Sequence, residues 1–136
     1  MTRFVIDAAT ALTLARMDAR ISPQHSLLAP TVMRSQVLAI LYAAVQRGDC
    51  DKATADRQLD YLRALKIRLL GDRVLQRRAW QIASHCGWAD TFVAEYVALA
   101  QLQADALVTD DPALAAALRG IVTVAPIGML WADPPD

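Results

Sequence analysis

Short apolar runs that alternate with helix-forming segments constrain the fold of this chain more than any other feature. Alternation of this kind is typical of α/β proteins, in which helices pack on a mainly parallel sheet. The sequence therefore predicts an α/β layer structure with a mainly parallel, twisted sheet of four or five short strands. The predicted strands cover residues 3–6, 27–29, 105–109 and 121–124, and residues 67–70 form either a further strand or an extended connector.

Length and composition indicate one globular domain. The chain has 136 residues, of which 55% are hydrophobic and 21% are charged. It contains no run of about 18 apolar residues, the length that a membrane span needs. Asp7 also interrupts the N-terminal apolar run at a point where a signal peptide would continue it. We therefore expect a cytoplasmic protein with no membrane partner, whose last residues, about 129–136, form a loose tail.

Helix-start and helix-stop signals predict the helix boundaries. Asp51 and Asp72 are suitable N-caps, and Gly48 and Gly87 are suitable stops. Pro30 is expected to open a helix that continues to about residue 47, because proline is favoured in the first helical turn.

A pair of adjacent acids follows the predicted strand at 105–109, in the sequence Thr109-Asp110-Asp111-Pro112. One interpretation is helix capping, with Asp111 as the N-cap and proline at the first helical position. The other is a metal site, because Asp7 also ends a strand and the carboxyl ends of parallel strands share one edge. Acids held close together at such an edge suit Mg²⁺ or Mn²⁺. Both interpretations remain open at this point.

The charge of the chain is zero overall but is unevenly distributed. Between residues 57 and 78 there are seven basic and two acidic side chains, which leaves this window at +5. Such a window is either a solvated helix face or a patch that contacts phosphates or a partner. Three tryptophans, Trp80, Trp88 and Trp131, are interpreted as core or interface anchors rather than base-stacking platforms.

Four segments of the chain resemble those of a known family. They are RFVIDAATAL, LLAPTVMRSQVLAIL, TFVAEYVALAQLQADALVTDDPAL and IVTVAPIGML. In this order they resemble a PIN domain and, more narrowly, a VapC-type toxin of a bacterial toxin–antitoxin pair. The most specific part covers residues 95–114. The resemblance implies a three-layer, single-domain PIN-like fold over residues 1–136. It also implies an endoribonuclease dependent on Mg²⁺ or Mn²⁺, a VapB-like antitoxin partner and a homodimer.

The resemblance implies a site made of four acids, of which this chain matches two. Asp7 and Asp111 correspond to the first and the last acid. Gln36 stands where the family has a glutamate, and Val93 stands where it has an aspartate. Glutamine retains a carbonyl oxygen that can hold a water molecule, but it contributes no negative charge.

Five further residues are predicted to assist this site. Asp90 lies one helical turn before the position of the missing aspartate, and Asp110 adjoins the last acid. Thr109 is expected to position a metal ligand or a phosphate oxygen, and Arg73 and Arg77 are expected to contact RNA phosphates.

Two functions remain open from the sequence: a metal-dependent ribonuclease, or a PIN-like fold that no longer cuts and binds an antitoxin or RNA. An introduced Gln36 that silences a toxin would explain that position but not Val93. In either function, apolar residues of the second to fourth helices are candidates for a groove that an antitoxin helix fills. They include Val32, Leu38, Leu41, Tyr42, Leu59 and Leu62.

Overall fold

The structure, a computed structural model, describes residues 1–131. None of the helices in this part of the chain has the length and apolar character needed to cross a membrane. In chain order, the elements are β1 Thr2–Ile6, α1 Ala8–Met17, β2 His25–Pro30, α2 Met33–Gln46, α3 Lys52–Ala64, β3 Arg68–Leu70, α4 Arg73–Cys86, α5 Phe92–Gln103, β4 Ala106–Val108, α6 Pro112–Ala117, β5 Val124–Ala125 and a 3₁₀ helix, Ile127–Leu130.

The five described strands form one sheet in the order β3-β2-β1-β4-β5. Each of the four strand pairings is parallel. A parallel connection needs a crossover, and helices supply it between successive strands. The predicted α/β fold with a sheet of short parallel strands is therefore confirmed.

The central strand β1 is covered on both faces, which accounts for its uninterrupted apolar sequence. Phe4, Val5 and Ile6 are all buried, although successive side chains of a strand point to opposite faces. Helix α5 packs against β1, β2 and β4, and α4 packs against α5, while α1, α2 and α3 pack against one another. The sheet is thus the middle layer of a three-layer α/β/α arrangement.

The predicted helix caps on α3 and α4 are confirmed by their hydrogen bonds. Asp51 accepts a hydrogen bond from the Thr54 amide at 2.7 Å. Asp72 accepts one from the Leu75 amide at 2.9 Å. Gly87 ends α4 with a φ of 70°, a left-handed conformation that glycine adopts without steric cost.

Two predicted boundaries are wrong. Strand β2 has six residues instead of three, and Pro30 is its last residue, so that α2 begins only at Met33. The fixed φ of proline suits the end of a strand as well as the start of a helix. The last strand comprises only Val124 and Ala125, because Ile121 belongs to the turn after α6, where its amide donates to the Leu118 carbonyl at 2.9 Å.

The start of the predicted loose tail is packed against the domain. Leu130 is 0% exposed, and its carbonyl accepts a hydrogen bond from the Ser22 amide at 3.0 Å. Trp131 forms an isolated antiparallel bridge with Ile21. A tail is therefore the wrong description for residues 129–131, and residues 132–136 of the prediction lie outside the described residues.

Truncating Leu130 should destabilise the protein strongly. We expect Leu130→Ala to lower the free energy of unfolding in urea by about 2–5 kcal/mol, as for other buried leucines. Met129→Ala is the matched control, because Met129 is 54% exposed. Its effect should stay within about 0.5 kcal/mol. Equal effects of the two substitutions would mean that the segment is not docked.

Candidate functional site at the carboxyl ends of the strands

The carboxyl ends of β1 and β4 lie side by side. Ile6 is the register partner of Val108, so Asp7 and Thr109 follow at the same edge of the sheet. Asp111 comes two residues later, at the start of α6. This is the edge at which open α/β sheets bind ligands.

A cavity of about 410 Å³ opens at this edge and carries few polar groups. Asp7 is the one carboxylate among its lining residues, and Gln36 and Tyr96 are the other polar side chains. Val93 also lines the cavity, so both substituted positions face the same space as Asp7. The remaining lining residues are apolar: Ala8, Ala9, Ala39, Ile40, Phe92, Leu107 and Leu114.

A hydrogen bond joins Gln36 and Tyr96, two residues that line this cavity. The Tyr96 hydroxyl donates to Oε1 of Gln36 at 2.5 Å. Tyr96 is a site residue that the sequence analysis missed. Helical spacing could have identified Tyr96 as a site residue, because it lies three residues after Val93 in α5 and therefore on the same side of the helix.

The environment of Tyr96 keeps its hydroxyl protonated. Burial raises the pKa of Tyr96 well above its ordinary value, and the negative charges of Asp7 and Glu95 raise it further. Burial also raises the pKa of Glu95. Tyr96 is therefore a hydrogen-bond donor at neutral pH, and the carbonyl oxygen of Gln36 is the acceptor that it engages.

Asp7 has a structural role in addition to its place in the cavity. It is the N-cap of α1, and its Oδ1 accepts a hydrogen bond from the Thr10 amide at 2.7 Å. The Thr10 hydroxyl in turn donates to the Val108 carbonyl at 3.3 Å and is buried. Thr10 thus joins the start of α1 to the end of β4. It is a second residue of the site that was not predicted from the sequence.

The capping interpretation of Asp111 is confirmed. Its Oδ1 accepts hydrogen bonds from the amides of Ala113 at 2.9 Å and Leu114 at 3.3 Å. Thr109 is buried, and its hydroxyl oxygen accepts a hydrogen bond from the Asp111 amide at 3.2 Å. These bonds shape the turn into α6. A role for either residue toward a metal or phosphate stays a prediction.

The other predicted site residues lie outside the lining of this cavity. Asp90 accepts a hydrogen bond from the Phe92 amide at 3.1 Å, next to the start of α5. Asp110 is exposed and accepts one from the Ile127 amide at 3.2 Å. Arg73 and Arg77 are exposed on α4. The structure therefore brings Asp7 and Gln36 together with Val93 but does not add these four residues to them.

The residues at this edge do not fit the four-acid Mg²⁺ or Mn²⁺ site that the resemblance implies. Within residues 1–131, no group of three or more Asp, Glu, His and Cys residues is placed to hold one ion. The cavity offers one carboxylate, a carbonyl oxygen already bonded to Tyr96, and an aliphatic Val93. The cavity lining therefore lacks two of the four charged oxygen ligands that the resemblance implies for Mg²⁺ or Mn²⁺.

Comparison with solved structures supports the fold. The chain is similar to the crystal structure of PAE2754 from Pyrobaculum aerophilum, with a TM-score of 0.72 and 22% sequence identity. The likeness covers 94% of this chain and 92% of that chain. At this identity it establishes a shared α/β fold and carries no statement about activity. Comparison with family models and with curated proteins found no match.

The Tyr96 phenol should ionise only at strongly alkaline pH. In the difference between the ultraviolet titrations of wild type and Tyr96→Phe, we expect a midpoint above the ordinary 10.0. Because the folded chain keeps a proton that the unfolded chain loses, this group's contribution to stability is present below about pH 10 and is lost as the pH rises further. A midpoint at or below 10 would contradict the described environment of Tyr96.

At neutral pH, Tyr96→Phe should lower the free energy of unfolding by about 1 kcal/mol, because Gln36 loses its donor. Tyr42→Phe, which removes an exposed phenol, is the matched control and should have little effect.

Proposed function

We propose that this chain is a VapC-like protein with a PIN-like fold that acts by binding an antitoxin-like partner and that does not cleave RNA by the family's metal-dependent reaction. The observation that carries this proposal is the hydrogen bond between Tyr96 and Gln36 in a cavity with a single carboxylate. An amide bonded to a neutral phenol replaces a charged ligand, and Val93 replaces another. The assignment to the VapC-like family rests on the resemblance of the four sequence segments. The proposal also includes a cytoplasmic location and a homodimer.

A metal-dependent endoribonuclease is the second candidate, and one observation favours it. Asp7 and Asp111 both follow strands that are direct neighbours in the sheet. Two of the four acids implied by the resemblance thus remain at the expected edge. This candidate requires that two carboxylates suffice where the family uses four, with Thr109 and Gln36 in supporting roles.

A cleavage assay separates the two functions. With mixed-sequence RNA and Mn²⁺, we expect wild type to cleave no faster than Asp7→Asn, whereas the double variant Gln36→Glu/Val93→Asp gains activity at least tenfold above background. The control Gln36→Glu/Val93→Asn has nearly the same shape with one charge fewer and should gain less. Circular dichroism of each variant verifies the fold. Cleavage by wild type that Asp7→Asn abolishes would establish the ribonuclease and overturn the primary proposal.

The proposed partner site is a groove between α2 and α3, with a cavity of about 490 Å³. Its floor and walls are mainly apolar and include three of the residues predicted from the sequence for an antitoxin groove. Basic side chains, Arg34, Arg63 and Lys66, stand among them. The apolar lining residues are Met33, Val37, Leu38, Leu59, Leu62, Ile67 and Leu69.

The charge of the groove indicates the chemistry of its occupant. Arg63 pairs with Asp60, whereas Arg34 and Lys66 pair with no carboxylate within residues 1–131. An amphipathic helix with an apolar stripe and acidic residues beside it would fill the groove and neutralise these two cations. The proposed antitoxin is therefore expected to present an acidic amphipathic helix.

A charge placed in the groove should prevent complex formation. Leu38 lines the groove and is 57% exposed, so Leu38→Arg should not disturb folding. On co-expression with the small protein encoded by the neighbouring gene, we expect wild type to co-purify with it and Leu38→Arg to lose most of the complex. Leu102→Arg is the matched control, an exposed leucine on α5 that should retain binding. Equal retention of the partner by both variants would exclude this groove.

A further inference from the structure

The outer face of α4 exposes a tryptophan between basic residues. Trp80 is 73% exposed, which rules out the core position that the sequence offered for it and leaves the interface position a prediction. Arg77 precedes it by three residues and Arg73 by seven. The core interpretation is therefore wrong for Trp80, because the buried face of α4 is formed by other residues.

Helical geometry places these three side chains in one stripe. At about 100° per residue, Arg73, Arg77 and Trp80 lie within an arc of roughly 60°, one helical turn apart from one another. The buried residues of α4 occupy the opposite side of the helix, where they meet α5. They are Leu75, Ala79, Ile82 and Ala83.

Helix α4, which carries the stripe, has basic but no acidic side chains. Residues 73–86 contain three arginines and no acid. Within residues 1–131, none of these three guanidinium groups forms an ion pair. Arg73 and Arg77, exposed beside Trp80, are thus free of ion pairs within the described residues and can contact an anionic ligand.

We propose that this stripe, Arg73–Arg77–Trp80, binds single-stranded nucleic acid. A base stacks on the exposed indole of Trp80, and Arg77 and Arg73 contact the phosphates on one side of that base. Stacking on an aromatic side chain combined with a basic track is the arrangement that binds single strands without reading their sequence. A protein partner fits less well, because the exposed residues one turn from Trp80 on α4 are polar and form no continuous apolar patch: Gln76, Arg77 and Ser84.

This site goes beyond the proposed partner groove, and it does not depend on cleavage. Helix α4 contributes no residue to the lining of either cavity. Binding can therefore be measured without a divalent ion, so that its outcome is separate from that of the ribonuclease assay.

The test uses the full chain with fluorescein-labelled 12-mers of uridylate and of deoxythymidylate, in EDTA at low and moderate salt. We expect wild type to bind both strands. Trp80→Ala should weaken binding by a factor of about 5 to 150, the range of stacking losses for one base, and Trp80→Phe should weaken it less. Arg77→Gln should reduce the slope of log K against log salt concentration by about 0.7, the value for one phosphate contact to a single strand.

Gln81→Ala, next to the stripe on the same helix, is the matched control and should bind like wild type. Because the substituted residues are exposed, folding of each variant is expected to be unchanged and is verified by urea unfolding. Failure of wild type to bind either 12-mer at low salt would overturn the proposal, as would equal affinity of Trp80→Ala and Gln81→Ala. Sedimentation that shows a wild-type dimer, dissociated by Trp80→Ala and unaffected by the 12-mers, would assign the stripe to self-association and overturn it as well.

Discussion

The parallel pairing of β1 with β4 is the interaction on which the rest of the molecule depends. It aligns Ile6 with Val108 in the middle of a sheet that is buried on both faces. The chain then leaves both strands at the same edge and enters helices α1 and α6, whose N-caps are Asp7 and Asp111. A buried hydroxyl, that of Thr10, ties the two exits together through the Val108 carbonyl. The candidate site follows from this arrangement of the backbone.

The chemistry of the site is set by what surrounds Asp7. A carboxylate at a partly apolar edge is tolerated because it lies at the N-terminus of α1, where the Thr10 amide donates a hydrogen bond to it. A second acid at position 36 or 93 would need a cation or a proton, since like charges raise each other's pKa. Gln36 is instead hydrogen-bonded to a protonated Tyr96, and Val93 beside them is apolar. The cavity therefore needs neither a cation nor an additional proton to balance a second acid. This self-sufficiency is the physical basis for proposing a binding role over metal-dependent cleavage.

Two further surfaces of the molecule are proposed to bind ligands. The groove between α2 and α3 is apolar with basic side chains, which suits an acidic helix. The outer face of α4 is basic around a single exposed indole, which suits a stacked base and its phosphates. The strongly basic window at residues 57–78 therefore divides between two faces: Arg63 and Lys66 line the groove, and Arg73 and Arg77 belong to α4. This division could not be predicted from the sequence, because the number of charges in a window does not show which face of the fold each side chain occupies.

The sequence by itself determined the fold class, most helix boundaries and the acids at the strand ends, because these depend on local patterns. Alternating apolar runs and N-caps at Asp51 and Asp72 involve residues only a few positions apart. Only the tertiary structure decided that Tyr96 donates a hydrogen bond to the side-chain carbonyl of Gln36, a residue 60 positions away in the chain. It also decided that Leu130 is buried and Trp80 exposed. Burial depends on which surfaces the packed layers leave uncovered, and no local pattern records that.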